Sequence, residues 1–378
     1  ERLMSPGALV AMLVLTAARL PCLSLALRPS RMMSLSAASA KMATSACAGT
    51  VSASPVEVVL GTMTFAEQTD EETARAQVAL FTSRGHAHVD TARMYVGTKT
   101  EKLLGRILGK SGEKPMFVAT KVNAFAGHAG PGGLAPGPLK AQAEESLADL
   151  GVDSVGILYL HAPDIDTPIE ETLAAVQDLY VEGKFVEFGL SNYPSWEVAF
   201  IDGYMRERGW VRPTVYQGMY NAVTREVERE LLPCLRKLGI RFLAYNPLAG
   251  GILTGKHTAD NPEPGSRYAD TSMKAMYTAR YWNDALLSAS KGISAACEEA
   301  GIPMAEASLR WLAYHSALQR EPEQGRLRDG VIVGASKTPH LEQNLLAFEH
   351  GPLPENVIAA FDVAWGAFRP VCPKYFRP

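Results

Sequence analysis

An acid, a phenol, an amine and an imidazole stand near the ends of three successive apolar runs in this 378-residue chain. They are Asp90 and Tyr95 in Val89-Asp90-Thr91-Ala92-Arg93-Met94-Tyr95, Lys121 in Ala119-Thr120-Lys121, and His161 in Tyr159-Leu160-His161. Together they suit the transfer of a proton to a carbonyl oxygen. A free tyrosine loses its proton near pH 10, a poor match for acid catalysis at neutral pH. An ammonium beside it stabilises the phenolate and eases that transfer. Asp90 would keep Lys121 charged and oriented, and His161 would hydrogen-bond the substrate oxygen. The carbon also needs a hydride, which no side chain donates, so a cofactor is implied. Each residue taken singly has a plainer role: a helix cap for Asp90, packing for Tyr95, a solvated charge for Lys121, a structural imidazole for His161. Their joint placement carries the chemical reading.

The elements that must position these groups follow from hydrophobic patterning. Strands are predicted at 56–63, 88–91, 116–121, 155–161, 186–190, 214–217, 241–245 and 331–333. Helical patterns lie between them at 70–84, 101–108, 139–150, 167–182, 195–208 and 225–238, with glycine stops at Gly85, Gly151, Gly183, Gly209 and Gly239. Thr167-Pro168-Ile169-Glu170 reads as an N-cap followed by proline at the first helical position. The stretch 246–279 reads as irregular, followed by helices at 284–300, 304–315, 339–349 and 354–368. Strands that do not alternate apolar with polar belong in a parallel sheet covered by helices. Eight units in about 300 residues favour the α/β class as a (β/α)8 TIM barrel with long loops and an extra C-terminal helix and tail. Such barrels gather their active groups where strands end. A dinucleotide-binding open sheet is the weaker alternative, since Leu60-Gly61-Thr62-Met63 stands where G-x-G-x-x-G would follow the first strand.

The constellation resembles the catalytic tetrad of the aldo-keto reductases. The segment from Gly85 to Tyr95, Ala119-Thr120-Lys121 and the segment from Tyr159 to Asp164 carry the likeness. So do Gly189-Leu190-Ser191-Asn192-Tyr193, the segments 215–221 and 245–256, Val333-Gly334-Ala335-Ser336 and Leu341-Glu342-Gln343-Asn344. Within that family the chain is most similar to the branch of aflatoxin B1 aldehyde and succinic semialdehyde reductases. Leu160-His161-Ala162-Pro163-Asp164 and the closing Cys372-Pro373-Lys374-Tyr375-Phe376-Arg377 carry the closer match.

The resemblance implies NADPH as cofactor and Asp90, Tyr95, Lys121 and His161 as the catalytic set. Ser191, Asn192 and Gln217 would hold the nicotinamide carboxamide, with Tyr245 stacked on the ring. The segment Asn246, Pro247, Leu248, Gly250, Leu253 and Lys256 would wrap the pyrophosphate. Ser336, Gln343 and Asn344 would hold the adenosine end, and Arg267 and Lys337 the 2′-phosphate. Arg377 would meet the carboxylate of an acidic substrate, beside His161 at the substrate oxygen. The implied activity is reduction of aldehydes and some ketones to alcohols, with succinic semialdehyde and dialdehydes as candidate substrates. The loop 124–138 departs from relatives in length and in glycine and proline content, so its substrate contacts do not carry over. Phe65-Ala66-Glu67 departs from a glycine-containing version common in the family. Potassium-channel β subunits resemble the same fold and keep the tetrad, so an NADPH-loaded regulatory subunit is the alternative. A phosphate-binding barrel isomerase or hydrolase has no use for the set.

Composition bounds the rest. Hydrophobic residues make up 47% and charged residues 20%, enough for a large core. A net charge of −3 points to neither nucleic acid nor an anionic membrane as partner. Five cysteines without C-x-x-C spacing argue against a disulfide framework or zinc site, so no metal is expected. Residues 1–54 are free of acid after Glu1, rich in Ser, Ala and Leu, and carry Arg2, Arg19, Arg28 and Arg31. They read as an organelle-targeting leader, chloroplast or mitochondrial, ahead of the barrel at 55–378. A mistranslated upstream region followed by a cytoplasmic enzyme is the other reading, with Met32, Met33 or Met42 as the start. The apolar run from Leu9 to Leu15 is short for a membrane span. The resemblance implies a homodimer.

Overall fold

The computed structural model describes residues 54–108, 116–125, 133–257, 268, 274–321 and 328–377. Eight strands run parallel: β1 (Glu57–Gly61), β2 (His88–Asp90), β3 (Phe117–Val122), β4 (Val155–Leu160), β5 (Phe185–Ser191), β6 (Pro213–Met219), β7 (Arg241–Tyr245) and β8 (Gly330–Val333). Each pairs with the next, and β1 closes on β8 with Val58 opposite Val331. The (β/α)8 barrel expected from the sequence is therefore the fold.

Helices cover the outside: α1 (Glu71–Ser83), α2 (Lys99–Leu108), α3 (Pro136–Leu150), α4 (Ile169–Val181), α5 (Ser195–Glu207) and α6 (Leu231–Leu238). Among the described residues three more lie between β7 and β8, namely α7 (Lys274–Tyr281), α8 (Asp284–Ala300) and α9 (Met304–Tyr314). Then α10 (Thr338–Ala347) follows β8, and α11 (Glu355–Phe368) packs against α8. Among the described residues, no helix is long and apolar enough to cross a membrane.

Three expectations need correction. The predicted helix 225–238 is a 3₁₀ turn at Glu226–Glu228 followed by α6. Pro233 lacks an N–H and fits only the first turn of a helix, which puts the start at Leu231. Helix α4 starts at Ile169, with Pro168 in the flanking position and no side-chain cap. The Thr167 hydroxyl donates instead to Asp164, at 2.9 Å, so it braces a turn. The stretch 246–279 contains a 3₁₀ segment at Ala249–Thr254 and the helix α7.

The barrel interior is its own apolar cluster: Val59, Ala119, Ile157, Tyr159, Val215, Leu243 and Ile332. Strand side chains alternate faces, so the residue two places on shares the interior. Two residues beyond Ala119 comes Lys121, beyond Val215 comes Gln217, and beyond Leu243 comes Tyr245. Pairing of Asp90 with Ala119 and of Ser191 with Gln217 adds the other two positions of this polar rim. Gly189 makes room for the floor beneath it: a Cβ there would lie 2.3 Å from the Tyr159 ring. The strand register thus lays a polar rim directly on an apolar floor.

Candidate active site

Lys121 organises the rim. Its side chain has no solvent exposure, and its Nζ lies 2.9 and 2.8 Å from the two carboxylate oxygens of Asp90. It also donates to the Thr91 carbonyl at 2.7 Å and lies 3.4 Å from the Tyr95 phenol oxygen. An ammonium has three hydrogens, and these directions account for them. Burial pulls the Lys121 ammonium below the ordinary lysine value, with Asp90 pulling the other way. Two phenols flank this charge, with ring centroids 5.1 Å away for Tyr95 and 5.7 Å for Tyr159. Tyr159 is fully buried, and burial drives its pKa well up, whereas Tyr95 is only partly buried.

The loop that carries Tyr95 is anchored behind the site. The Arg93 amide donates to the Lys121 carbonyl at 3.2 Å. Its guanidinium reaches Glu145 and Asp149, both at 2.5 Å, and Glu101 at 3.5 Å. These bonds tie the β2 loop to α2 and α3, so Tyr95 leaves a fixed base.

His161 faces Tyr95 edge-on, with ring centroids 6.1 Å apart. Burial, then the Lys121 and Arg377 charges, hold its pKa well below 6.5, so the ring is neutral at neutral pH. Its Nδ1 is buried and makes no hydrogen bond among the described residues.

Beside this group lies a cluster of amide and hydroxyl side chains. Gln217 Nε2 donates to Asp90 at 2.8 Å. Asn192 Nδ2 donates to the His161 carbonyl at 2.8 Å and to the Ser191 hydroxyl at 3.0 Å. Tyr245 donates to Asn192 Oδ1 at 2.8 Å. Asn192 and Asn246 both take the left-handed backbone conformation, with φ of 62° and 56°. Asparagine tolerates that region better than most residues, and here it turns the chain sharply at the ends of β5 and β7. The donors and acceptors at Ser191 and Gln217 fit a primary carboxamide. The Tyr245 ring, at the rim with its hydroxyl already held, offers a flat face.

Comparison with known proteins decides the family. Residues 57–365 match the family model described as the aldo/keto reductase family. The chain is 46% identical over 331 residues to human aflatoxin B1 aldehyde reductase member 2, covering 85% of this chain and 90% of that one. It is 44% identical over 329 residues to human aldo-keto reductase family 7 member A3, covering 84% and 96%. An aldo-keto reductase of the fungus Pseudocercospora fijiensis is 39% identical over 296 residues, covering 77% and 97%.

The chain belongs to the aldo/keto reductase family.

In this aldo/keto reductase the segment after β7 is braced from within. The amides of Ala249, Gly251, Leu253 and Gly255 donate to carbonyls of the same segment. Tyr277 donates to Asn246 Oδ1 at 3.0 Å, and Tyr268 to the Ala249 carbonyl at 2.9 Å. Gly250 has φ of 68°, and a Cβ there would meet the Tyr277 ring at 2.5 Å. Pro247 and Leu248 are partly buried and Lys256 is exposed. The Leu253 side chain is fully buried, and its amide is taken up by the Leu248 carbonyl. Beyond β8, Ser336 and Lys337 lead into the N-terminus of α10, with Lys337 exposed. Asn344 is buried on that helix and Gln343 is exposed. A helix N-terminus favours an anion there. Arg267 lies outside the described residues, as do the leader residues 1–53 and residues 126–132 of the loop 124–138.

The tail of the reductase reaches the site. The Arg377 amide donates to the Asn192 carbonyl at 3.0 Å, and its guanidinium lies 4.8 Å from the Phe125 ring centroid. The sequence reading missed Arg280, on α7. Its guanidinium interacts with the Tyr245 hydroxyl and, through space, with Arg377. Among the described residues neither arginine has a carboxylate partner. No spacing signal marks Arg280, because the sequence carries no helical pattern over most of α7. Ala66, in the Phe65-Ala66-Glu67 turn, has φ of 70°, the region glycine enters freely.

Proposed function

We propose that this enzyme reduces aldehydes and some ketones to alcohols with NADPH, using Tyr95 as the proton donor. The observation that carries the reading is the contact of Lys121 with Tyr95, beside a second phenol too buried to reach substrate. When bound, the nicotinamide supplies the hydride to the carbonyl carbon. The Tyr95 hydroxyl gives its proton to the carbonyl oxygen, and the Lys121 ammonium stabilises the phenolate left behind. Asp90 keeps Lys121 charged, and neutral His161 donates its ring N–H to the substrate oxygen, fixing its direction. Ser191, Asn192 and Gln217 would hold the carboxamide, and the flat face of Tyr245 would suit the ring. The 246–256 segment would hold the pyrophosphate. Ser336, Gln343 and Asn344 would take the adenosine end, and Lys337 and Arg267 would suit a 2′-phosphate, which would favour NADPH over NADH.

Arg377 and Arg280 together suit a substrate carboxylate, since planar guanidinium groups bind carboxylates in pairs of hydrogen bonds. Succinic semialdehyde is the proposed acidic substrate. The reading is supported by the lack of any carboxylate near these arginines among the described residues.

The test is a panel of aldehydes and ketones, including succinic semialdehyde and 4-nitrobenzaldehyde, with NADPH and NADH. Turnover at enzyme-like rates with NADPH is expected. Tight NADPH binding without turnover of any carbonyl would instead favour a regulatory subunit.

A further inference from the structure

We propose that Tyr375, through Glu230 and Ser195, is a latch that sets the position of Arg377 over the barrel mouth and so favours aldehydes that carry a carboxylate. The proposal rests on the reading of Arg377 given above. Beyond the 3₁₀ turn Arg369–Val371, the described tail to residue 377 has neither helix nor strand to place it. What holds it is specific. Tyr375 is 8% exposed, and its hydroxyl accepts from the Ser195 amide at 3.1 Å and donates to Glu230 Oε1 at 2.9 Å. The Ser195 hydroxyl donates to the same Glu230 oxygen. Ser195 opens α5, where the first amides have no partner inside the helix. Glu230 stands just ahead of α6, and its side chain makes no cap bond there. One tyrosine hydroxyl therefore joins two βα units to the tail.

Two residues later the Arg377 amide is pinned to the Asn192 carbonyl. The arginine backbone is thus held directly at one point and through Tyr375 at another. By contrast, its guanidinium meets no carboxylate among the described residues; Arg280 and Tyr245 act on it through space, and against it lie the Met276 sulfur at 3.9 Å and the Phe125 ring. Neither neutralises the charge, so the head group is placed chiefly by its backbone. Paired hydrogen bonds to a carboxylate weaken steeply with angle and distance. Loosening the latch should therefore cost acidic substrates and spare neutral ones, because Ser195 and Glu230 are separate from the four residues at the mouth. The hydrogen bonds from Ser195 and Tyr375 also hold the Glu230 carboxyl below its ordinary value, so it is ionised at neutral pH and is a strong acceptor.

The experiment compares Tyr375→Phe and Glu230→Gln with the unaltered enzyme, using NADPH and two aldehydes, succinic semialdehyde and 4-nitrobenzaldehyde. The latch predicts that KM for succinic semialdehyde rises about tenfold in both variants. Values of kcat for both aldehydes, and KM for 4-nitrobenzaldehyde, should stay within about twofold. An equal rise in KM for both aldehydes overturns the latch, since the change would then be general damage to the site. So does an unchanged KM in both variants while Arg377→Ala raises KM for the acidic aldehyde. If Arg377→Ala leaves that KM unchanged, the reading of Arg377 itself is wrong, and the latch falls with it. Thermal unfolding of each variant separates loss of fold from loss of position.

Discussion

The Lys121 ammonium lies 3.4 Å from the Tyr95 phenol oxygen, while its remaining hydrogens are directed to Asp90 and to the Thr91 carbonyl. A charge spread over a flexible surface lysine would do little for a phenolate. Here the amine is buried and aimed, so its charge acts at one oxygen.

That arrangement gives Asp90 a part in stability as well as in the proposed chemistry. Asp90→Asn leaves a fully buried ammonium without its counter-ion. Loss of one partner from a buried pair typically costs about 3–5 kcal/mol. Urea unfolding at pH 7 should show a loss of that order. The double variant Asp90→Asn with Lys121→Met should recover part of it. A single-variant loss under about 1 kcal/mol would mean that water screens the pair.

The neutral state of His161 predicts a pH dependence of stability. Its folded pKa lies well below 6.5, mainly through burial and then through the Lys121 and Arg377 charges. Below pH 6.5 the unfolded chain takes up this proton while the folded chain resists it. The contribution is therefore complete above 6.5 and shrinks as pH falls, at up to about 1.4 kcal/mol per pH unit. Urea unfolding from pH 7.5 down to 5.5 should show a shallower slope in His161→Gln than in the unaltered protein. Parallel curves would contradict a buried neutral imidazole.

Much of this was legible in the sequence, and the remainder had physical reasons to be hidden. The eight strands stand out because each is buried on both faces, which leaves continuous apolar runs such as Val155-Gly156-Ile157-Leu158-Tyr159-Leu160. Asp90, Lys121 and His161 stood out because polar groups ending such runs must face the mouth. The bond from Gln217 to Asp90 was not legible, since it joins positions 127 residues apart. Nor was Arg280: its helix is short, and only the fold sets it beside Tyr245. The break ahead of α6 turned on Pro233, whose meaning depends on the turn in which it falls. Thr167 looked like a cap from spacing alone, but Asp164 takes its hydroxyl.

Arg280 should share in the recognition of acidic aldehydes. In Arg280→Met, the ratio of kcat/KM for succinic semialdehyde to that for 4-nitrobenzaldehyde should fall about ten- to hundredfold. That range is what loss of a charge-assisted hydrogen bond gives. Steady-state kinetics at saturating NADPH measures it. An unchanged ratio would confine Arg280 to bracing Tyr245.

The barrel floor offers a prediction about stability alone. In Gly189→Ala the new methyl would lie 2.3 Å from the Tyr159 ring, which has no exposed side to move toward. Overpacking of this kind costs about 1–3 kcal/mol. Thermal unfolding should show a lower midpoint. An unaltered midpoint would mean that the ring has another rotamer available.

The proton donor itself is best tested in a single turnover. Tyr95→Phe, loaded with NADPH and mixed with 4-nitrobenzaldehyde, should bind the cofactor within about twofold of the unaltered enzyme by fluorescence titration. Its rate of NADPH oxidation should fall by about 10²–10⁴, the range for a lost general acid. An oxidation rate within a few-fold of the unaltered enzyme would show that the proton comes from another group.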